Sequence, residues 1–326
     1  MKKVTVVIPN WNGIKYIRVC LDSLRKQDTD DFAVLVIDNA SEDGSDKVIE
    51  EEYPEAELHR MPENLGFAGG VNEGIRLSKT PYVLLLNNDI EAEPAFVRAL
   101  TEAIERDERI FSVSARMVNY RERNLLDDTG DLYTVLGWGA QRGVGQSTED
   151  PRYLKPCRVF SACGGAAIYR KSVLDEIGAF DPDHFAYLED IDLGYRAQIY
   201  GYRNMYEPGA VVYHWGSGSS GAVKYSDFKV RISARNNIYL CYKNMPLFFR
   251  GINALPLLIG RTLKRRFFKK EGFLEAYDEG IREGYEKRKG TRKVPFSWKH
   301  LGYYLSIEAQ LIGNTFVYIY EYSKRH

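Results

Sequence analysis

Val4-Thr5-Val6-Val7-Ile8-Pro9-Asn10-Trp11-Asn12-Gly13 is a run of apolar or β-branched residues that stops abruptly at a turn cluster. A continuous run of this kind predicts a strand buried on both faces, as strands of a parallel sheet are. Ile17, Cys20, Leu21 and Leu24 follow at helical spacing. The pattern then repeats: residues 33–37 form a second apolar run ending at Asp38, residues 82–86 a third ending at Asn87, and helices are expected over 48–53 and 71–77. Strands alternating with helices predict an α/β fold with a mostly parallel sheet covered by helices. Ligands in such sheets bind beyond the carboxyl ends of the strands, where Pro9, Asp38 and Asn87, Asn88 and Asp89 would emerge.

The chain has 326 residues, 44% hydrophobic and 28% charged, enough for one large or two ordinary globular domains. Its zero net charge conceals an asymmetry, because residues 246–326 carry 16 Lys/Arg against 8 Asp/Glu. An acidic front argues against nucleic acid as a partner, whereas a basic, aromatic tail suits an anionic surface or a subunit face, including that of a homodimer. Four scattered cysteines form no CxxC pair, which points to a reducing compartment without structural zinc. The first residues lead directly into strand-like sequence, and no stretch reaches the roughly 18 apolar residues that span a bilayer. The expected location is cytoplasmic, with peripheral attachment to the inner face of the membrane through residues 246–270. Residues 119–156 are polar and Gly-rich and read as a long loop or hairpin insertion. These shifts divide the chain into 1–245, with halves meeting near 118, and a helical 246–326.

Several constellations carry chemistry. Asp38 opens a turn rich in Asn, Ser and Gly and can accept the imide N–H of a pyrimidine base; the same residues also serve as a helix N-cap. Asn64-Leu65-Gly66-Phe67-Ala68-Gly69-Gly70 reads as a Gly-rich loop entering a helix, with backbone N–H groups available to phosphate oxygens. It does not follow the first strand, so a dinucleotide fingerprint is excluded. Asn87-Asn88-Asp89 places a carboxylate at the top of a buried strand, sufficient with substrate phosphates for Mg²⁺ or Mn²⁺. Glu189, Asp190 and Asp192 cannot share one helical face. Asp190 is read as facing a substrate hydroxyl, Glu189 an acceptor or supporting partner, and Asp192 as the cap of a helix from about 193. His214 leaves another apolar run and can ligate a metal or contact a pyrophosphate, ahead of a Gly/Ser segment, 217–221, that reads as a lid.

In order, the segments 6–13, 36–45, 63–70, 85–89 and 178–202 resemble family 2 glycosyltransferases of the GT-A fold, in particular bacterial rhamnosyltransferase-like members that build cell-surface polysaccharides. The resemblance implies a Rossmann-like mixed sheet flanked by helices, with a C-terminal helical extension. It implies that Pro9, Asn10, Asn12 and Asp38 cradle base and ribose, and that Asn64, Gly69, Asn87 and Asn88 line the donor site. Asp89 becomes the metal ligand of a DxD-like motif whose first position is Asn87, with His214 as a further metal or diphosphate contact. Asp190 becomes the base of an inverting transfer, and Gly164 and Gly165, with Glu189, lie beside the acceptor. The implied partners are a nucleotide-diphosphate sugar, dTDP-rhamnose or a UDP-sugar, and a glycan or lipid-linked acceptor. A non-catalytic nucleotide-sugar or carbohydrate-binding protein of the same fold is the alternative, disfavoured because binding needs neither Asp89 nor Asp190. A sugar-nucleotide pyrophosphorylase would need a basic Gly-rich loop after the first strand, and the chain has none.

Overall fold

The computed structural model of the protein describes residues 2–216 and 225–325. Its first part alternates without interruption: β1 (Val4–Asn10), α1 (Ile17–Arg25), β2 (Phe32–Asp38), α2 (Ser45–Glu52), β3 (Glu57–Arg60), α3 (Gly66–Leu77) and β4 (Tyr82–Leu86). There follow β5 (Ile90–Ala92), α4 (Phe96–Glu105), β6 (Ile110–Asn119), β7 (Leu126–Asp128), β8 (Asp131–Tyr133), β9 (Gly139–Gln141), β10 (Cys157–Val159), β11 (Ala166–Arg170), α5 (Lys171–Ile177), α6 (Glu189–Ile199) and β12 (Arg203–His214). The remainder is helical: α7 (Asp227–Asn244), α8 (Leu247–Ile252), α9 (Ala254–Lys270), α10 (Leu274–Lys287) and α11 (Leu301–Arg325).

The main sheet runs β10-β12-β6-β11-β4-β1-β2-β3. β1 is parallel to β2 and β4, and β2 is parallel to β3, as the apolar runs predict. β11 enters antiparallel between β4 and β6, so the sheet as a whole is mixed. Side chains alternate across it. Val6, Ile8, Val36 and Leu84 pack against α1, α2 and α4 on one face, while Val7, Leu35, Val83 and Leu85 pack against α3, α5 and α6 on the other. Full burial of each such side chain stabilises the fold by about 1.5–3 kcal/mol. β3 ends the sheet and carries charge instead, with Arg60 paired to Asp46 and Glu50, which guards an exposed edge.

Residues 119–156 are more ordered than a long loop. β7 pairs with β6, β8 and β9 form a hairpin, and α11 lies along the insertion. The Asn314 amide donates to Tyr133 O at 3.0 Å, Val135 N donates to Thr315 Oγ1 at 3.2 Å, and Glu321 accepts from Gly143 N at 3.0 Å and from the Tyr153 hydroxyl at 2.8 Å.

α6 begins at Glu189, four residues before the expected 193, with no side-chain cap. Leu188, at φ 67°, turns the chain into the helix instead. Asp192 is therefore not a cap. It is fully buried and accepts from Arg196 Nε at 2.9 Å, Lys243 Nζ at 2.9 Å and Asn244 Nδ2 at 2.7 Å. Burial opposes its charge, but Arg196 and Lys243 hold its carboxyl well below the usual carboxylate range. Helical structure begins at Asp227, ahead of Pro246, and α7 packs on both α6 and α10. Among the described residues no helix is long and apolar enough to cross a membrane.

Candidate active site

The ends of β1 and β2 lie in register, Asn10 beside Asp38. Asn10 is fully buried, and its amide donates to Asp38 Oδ1 and Ser45 Oγ, each at 2.9 Å. Its Oδ1 accepts from Asn88 Nδ2 at 2.8 Å. The second Asp38 oxygen accepts from Ser41 N at 3.1 Å, and the carboxylate is almost wholly covered. Sequence reasoning placed Asn10, Asp38 and Asn88 at one site, and they do meet. They form its interlocked floor, with amides as the linking groups. Asn12, at φ 51°, is exposed at the rim, where its Oδ1 accepts from Glu42 N at 2.9 Å and its own N–H donates to Ser41 Oγ at 3.0 Å. Pro9 is half-buried beside it.

The Gly-rich segment is helical from Gly66, and protein groups already answer its leading N–H groups. Leu65 N donates to Asn39 Oδ1 at 3.0 Å, Gly66 N to Asn64 Oδ1 at 2.8 Å, and Ala68 N to Phe185 O at 3.3 Å. A Cβ on Gly66, at φ 71°, would come within 2.6 Å of the Phe185 ring. Phosphate was the expected partner of these N–H groups; here the segment, with Asn64, is a seam against the loop leading into α6. Gly69 lies inside the helix, where a Cβ would meet Leu65 at 2.4 Å.

At the end of β4 the chain turns toward β12. His214 Nδ1 lies 2.7 Å from Asp127 Oδ2 and its Nε2 lies 3.4 Å from Asp89 Oδ1. Burial works against a charge on this ring, but hydrogen bonds to Asp127 and Asp89 outweigh it and push the pKa up to about 10. The arrangement fits a hard divalent cation once the ring gives up the proton facing Asp89, which a cation taking its place would displace. A carboxylate oxygen and an imidazole nitrogen face each other, and Asp127 fixes the far side of the ring, as outer carboxylates do for ligating histidines. Among the described residues no group of three or more His, Cys, Asp or Glu converges to hold a metal, so further ligands would be phosphate oxygens and water. Trp215 N donates to Asp89 O at 3.1 Å, and its ring stacks on Tyr120 with centroids 3.7 Å apart. The Gly/Ser segment expected as a lid lies outside the described residues.

The opposite wall is acidic. Asp190 stands in the first turn of α6, half-buried, and accepts from Ile191 N at 2.7 Å. Desolvation raises its pKa, while the N–H groups of Ile191 and Gly164 hold it back. Gly164 thus touches the candidate base, and Gly165 O accepts from Asn87 N at 2.8 Å, so this pair bridges the two strand ends. Glu189 is buried, its Oε2 has no partner among the described residues, and burial followed by the nearby Asp190 raises its pKa to about 8.

Sequence reasoning missed Asp127, Asp128 and Asp131. Asp128 is fully buried and raised to about 8, by desolvation first and then by Asp127 and Asp190; it also feels His214, so it lies near both the imidazole and Asp190. Asp131 accepts from Ser161 Oγ at 2.8 Å, and burial and Asp190 raise its pKa as well. The available signal was Asp127-Asp128-Thr129-Gly130-Asp131, three carboxylates in five residues of an otherwise featureless stretch.

A strand-end amide floor, a carboxylate–imidazole pair and an acid at a helix start all lie on one mixed sheet, and residues 5–178 match the family Glycosyl transferase family 2. The chain belongs to that family. It is therefore a glycosyltransferase, and its sheet is the GT-A fold. It is 28% identical over 215 residues to an N-acetylglucosaminyl-diphospho-decaprenol L-rhamnosyltransferase of Mycobacterium tuberculosis, covering 58% of this chain and 68% of that one. It is 27% identical over 281 residues to the amylovoran biosynthesis glycosyltransferase AmsB of Erwinia amylovora, covering 81% and 90%. The mannosyltransferase PcManGT from Pyrobaculum calidifontis, solved with GDP-Man and Mn²⁺, shares the fold with a TM-score of 0.53 at 17% identity over 96% of this chain and 86% of that chain. GalNAc-T7, solved with UDP, GalNAc and Mn²⁺, gives 0.58 at 15% identity, over 74% of this family member and 48% of that chain.

Proposed function

We propose that this glycosyltransferase moves a sugar, with inversion, from a nucleoside-diphosphate donor to a hydroxyl of a glycan or lipid-linked acceptor during cell-surface polysaccharide assembly. The observation that carries the reading is the placement of Asp190, half-open on a helix start, with buried Asp128 near both it and the His214 of the Asp89–His214 pair. The named activities of the mycobacterial and Erwinia relatives support the polysaccharide context, with dTDP-rhamnose as first donor and a UDP-sugar as second.

In this reading Pro9, Asn12 and Asp38 meet base and ribose above the floor that Asn10 and Asn88 hold, with Asn87 beside the diphosphate. The acceptor hydroxyl lies against Asp190, near Gly164, Gly165 and Glu189. Asp190 takes the hydroxyl proton as the oxygen attacks the anomeric carbon, and the bond to the diphosphate breaks in the same displacement. A desolvated carboxylate with a raised pKa is a better base than a solvated one. Asp89 and His214 would hold Mg²⁺ or Mn²⁺, which when bound neutralises charge on the departing diphosphate.

The helical region supplies a candidate membrane contact, which would keep the enzyme at the inner face of the membrane. Leu247 and Phe248 are 78% and 71% exposed, and Ile252, Leu255 and Leu258 continue the same stripe, while Phe249 and Leu257 are buried on the other side. Arg266, Lys269 and Lys270 follow on α9. An outward apolar stripe with a basic end suits an anionic bilayer surface. Phe248→Ser is expected to weaken binding to anionic vesicles several-fold without changing the rate on a soluble acceptor. A self-associated form that disperses in this variant would instead assign the stripe to a dimer.

The primary test is release of nucleoside diphosphate from dTDP- and UDP-sugars with Mg²⁺ or Mn²⁺, with membrane lipid extract as acceptor, for wild type and Asp190→Asn. Metal-dependent release from one donor, lost in the variant, supports the reading. Donor binding without turnover across acceptors favours the non-catalytic alternative.

A further inference from the structure

Three of the four residues ahead of α6 adopt the left-handed region without being glycine: Phe185 at φ 61°, Tyr187 at 69° and Leu188 at 67°. L-residues avoid this region because Cβ crowds the backbone, so such a loop persists only where its surroundings impose it. It belongs to no strand, yet its carbonyls are taken. The fully buried Asn236 of α7 sets Nδ2 2.9 Å from His184 O, 2.9 Å from Ala186 O and 2.8 Å from Tyr187 O, its two N–H groups shared among the three carbonyls. Arg235 Nη2 adds Asp183 O at 2.9 Å and His184 O at 3.0 Å, and Arg235 Nε donates to Asn236 Oδ1 at 3.0 Å, fixing the amide's orientation. Beyond Asp190, two turns further along the same helix, Lys243 and Asn244 hold Asp192. α7 therefore grips the chain on both sides of Asp190, and Phe185 O is tied from the other side by Ala68 N.

We propose that Asn236 is a positioning residue: by holding the left-handed loop 185–188 it sets where α6 starts and so aims Asp190 into the cleft. The proposal rests on the reading of Asp190 as the base. Asn236 touches neither donor nor acceptor in this account, and its effect passes entirely through the direction in which the chain enters α6. Asparagine suits the task because one amide group meets three carbonyls while carrying no charge into the interior. A lysine there would bring an unpaired cation, and an aspartate would oppose oxygen to oxygen.

The experiment measures kcat, donor KM and donor affinity for Asn236→Ala, Asn236→Ser and Arg235→Ala, alone and combined with Asp190→Asn, using the full chain. Asn236→Ala is expected to lower kcat about 100-fold, the scale of a misplaced reacting group, with donor KM and affinity within about twofold of wild type. Asn236→Ser, keeping one donor, should recover part of that loss. In the Asp190→Asn background the Asn236→Ala change should cost nothing further, because two groups acting through one step are not additive. A purely structural role predicts the opposite, a further loss in the double variant and donor affinity falling in step with kcat; either result, or an unchanged kcat in a folded Asn236→Ala protein, overturns the proposal. If Asn236→Ala does not fold, Arg235→Ala carries the same pattern at about tenfold, since its side chain is 12% exposed and more easily lost. Full transfer by Asp190→Asn alone would instead remove the base reading, a result distinguishable from failure of the positioning role.

Discussion

Around the ends of β1, β2 and β4, Asn10, Asn39, Asn64 and Asn88 bond one another, Asp38 and nearby serine hydroxyls or backbone groups. A second group, Asp128, Asp131, Glu189 and Asp190, gathers acids whose pKa values burial drives upward. Amides satisfy the Asp38 carboxylate and shape this floor before any ligand arrives. The acidic group resists ionisation, and in the proposed reading that resistance is what makes Asp190 a stronger base. One group thus adds to stability and the other draws on it.

Four substitutions sharpen or break this contrast. Asp190→Asn should cut transfer by about 1,000-fold, within the range for loss of a general base, while thermal melting shows no loss of stability. A variant that melts early and keeps its rate would reverse the roles of wall and scaffold. Lys243→Met takes one of two cations from buried Asp192, which keeps Arg196, and the one cation paired with Asp181 among the described residues; it should cost about 3 kcal/mol in urea unfolding, the low end for breaking a buried pair. Asn10→Ala strands Asp38, Ser45 and Asn88 together; a loss of about 1–3 kcal/mol, with raised donor KM, is expected from unfolding curves and initial rates. Glu189→Gln should do the reverse. The folded pKa of Glu189 lies near 8, above its ordinary 4.5, so its contribution to stability is complete below about pH 4.5 and is lost as pH rises through about 8. The glutamine variant cannot ionise and should gain on wild type between about pH 5 and 8, by on the order of 1–3 kcal/mol, read from melting curves across that window.

The first strands were legible because strands buried on both faces must be apolar throughout, and 4–8 and 82–86 read that way without help. β6 was not, since Ser112 and Ser114 interrupt its apolar run; Ser112 is matched by Asn204, 92 residues away, a partner no local window contains. The acid at α6 was visible, but its register was not. Asp192 looked like a cap until Lys243 and Asn244 arrived from a distant helix. Asp127, Asp128 and Asp131 lay in a polar stretch without periodicity, where only tertiary placement separates a buried acid from a solvated one. Asn236 was equally silent, because an asparagine inside a helix resembles any surface position.

The docking of α11 on the insertion has a consequence in time. Gly143 and Tyr153 are bonded to a carboxylate that follows them by 178 and 168 residues. The alternating strands near the start can pair as they emerge during synthesis, through single helical crossovers. The stretch holding the acidic wall must wait, unsupported, until Glu321 has been translated, and contacts of such long range are the slow ones to form. A nascent chain thus carries its amide floor well before the acids of the insertion can settle, so the two halves of the candidate site are completed at different times.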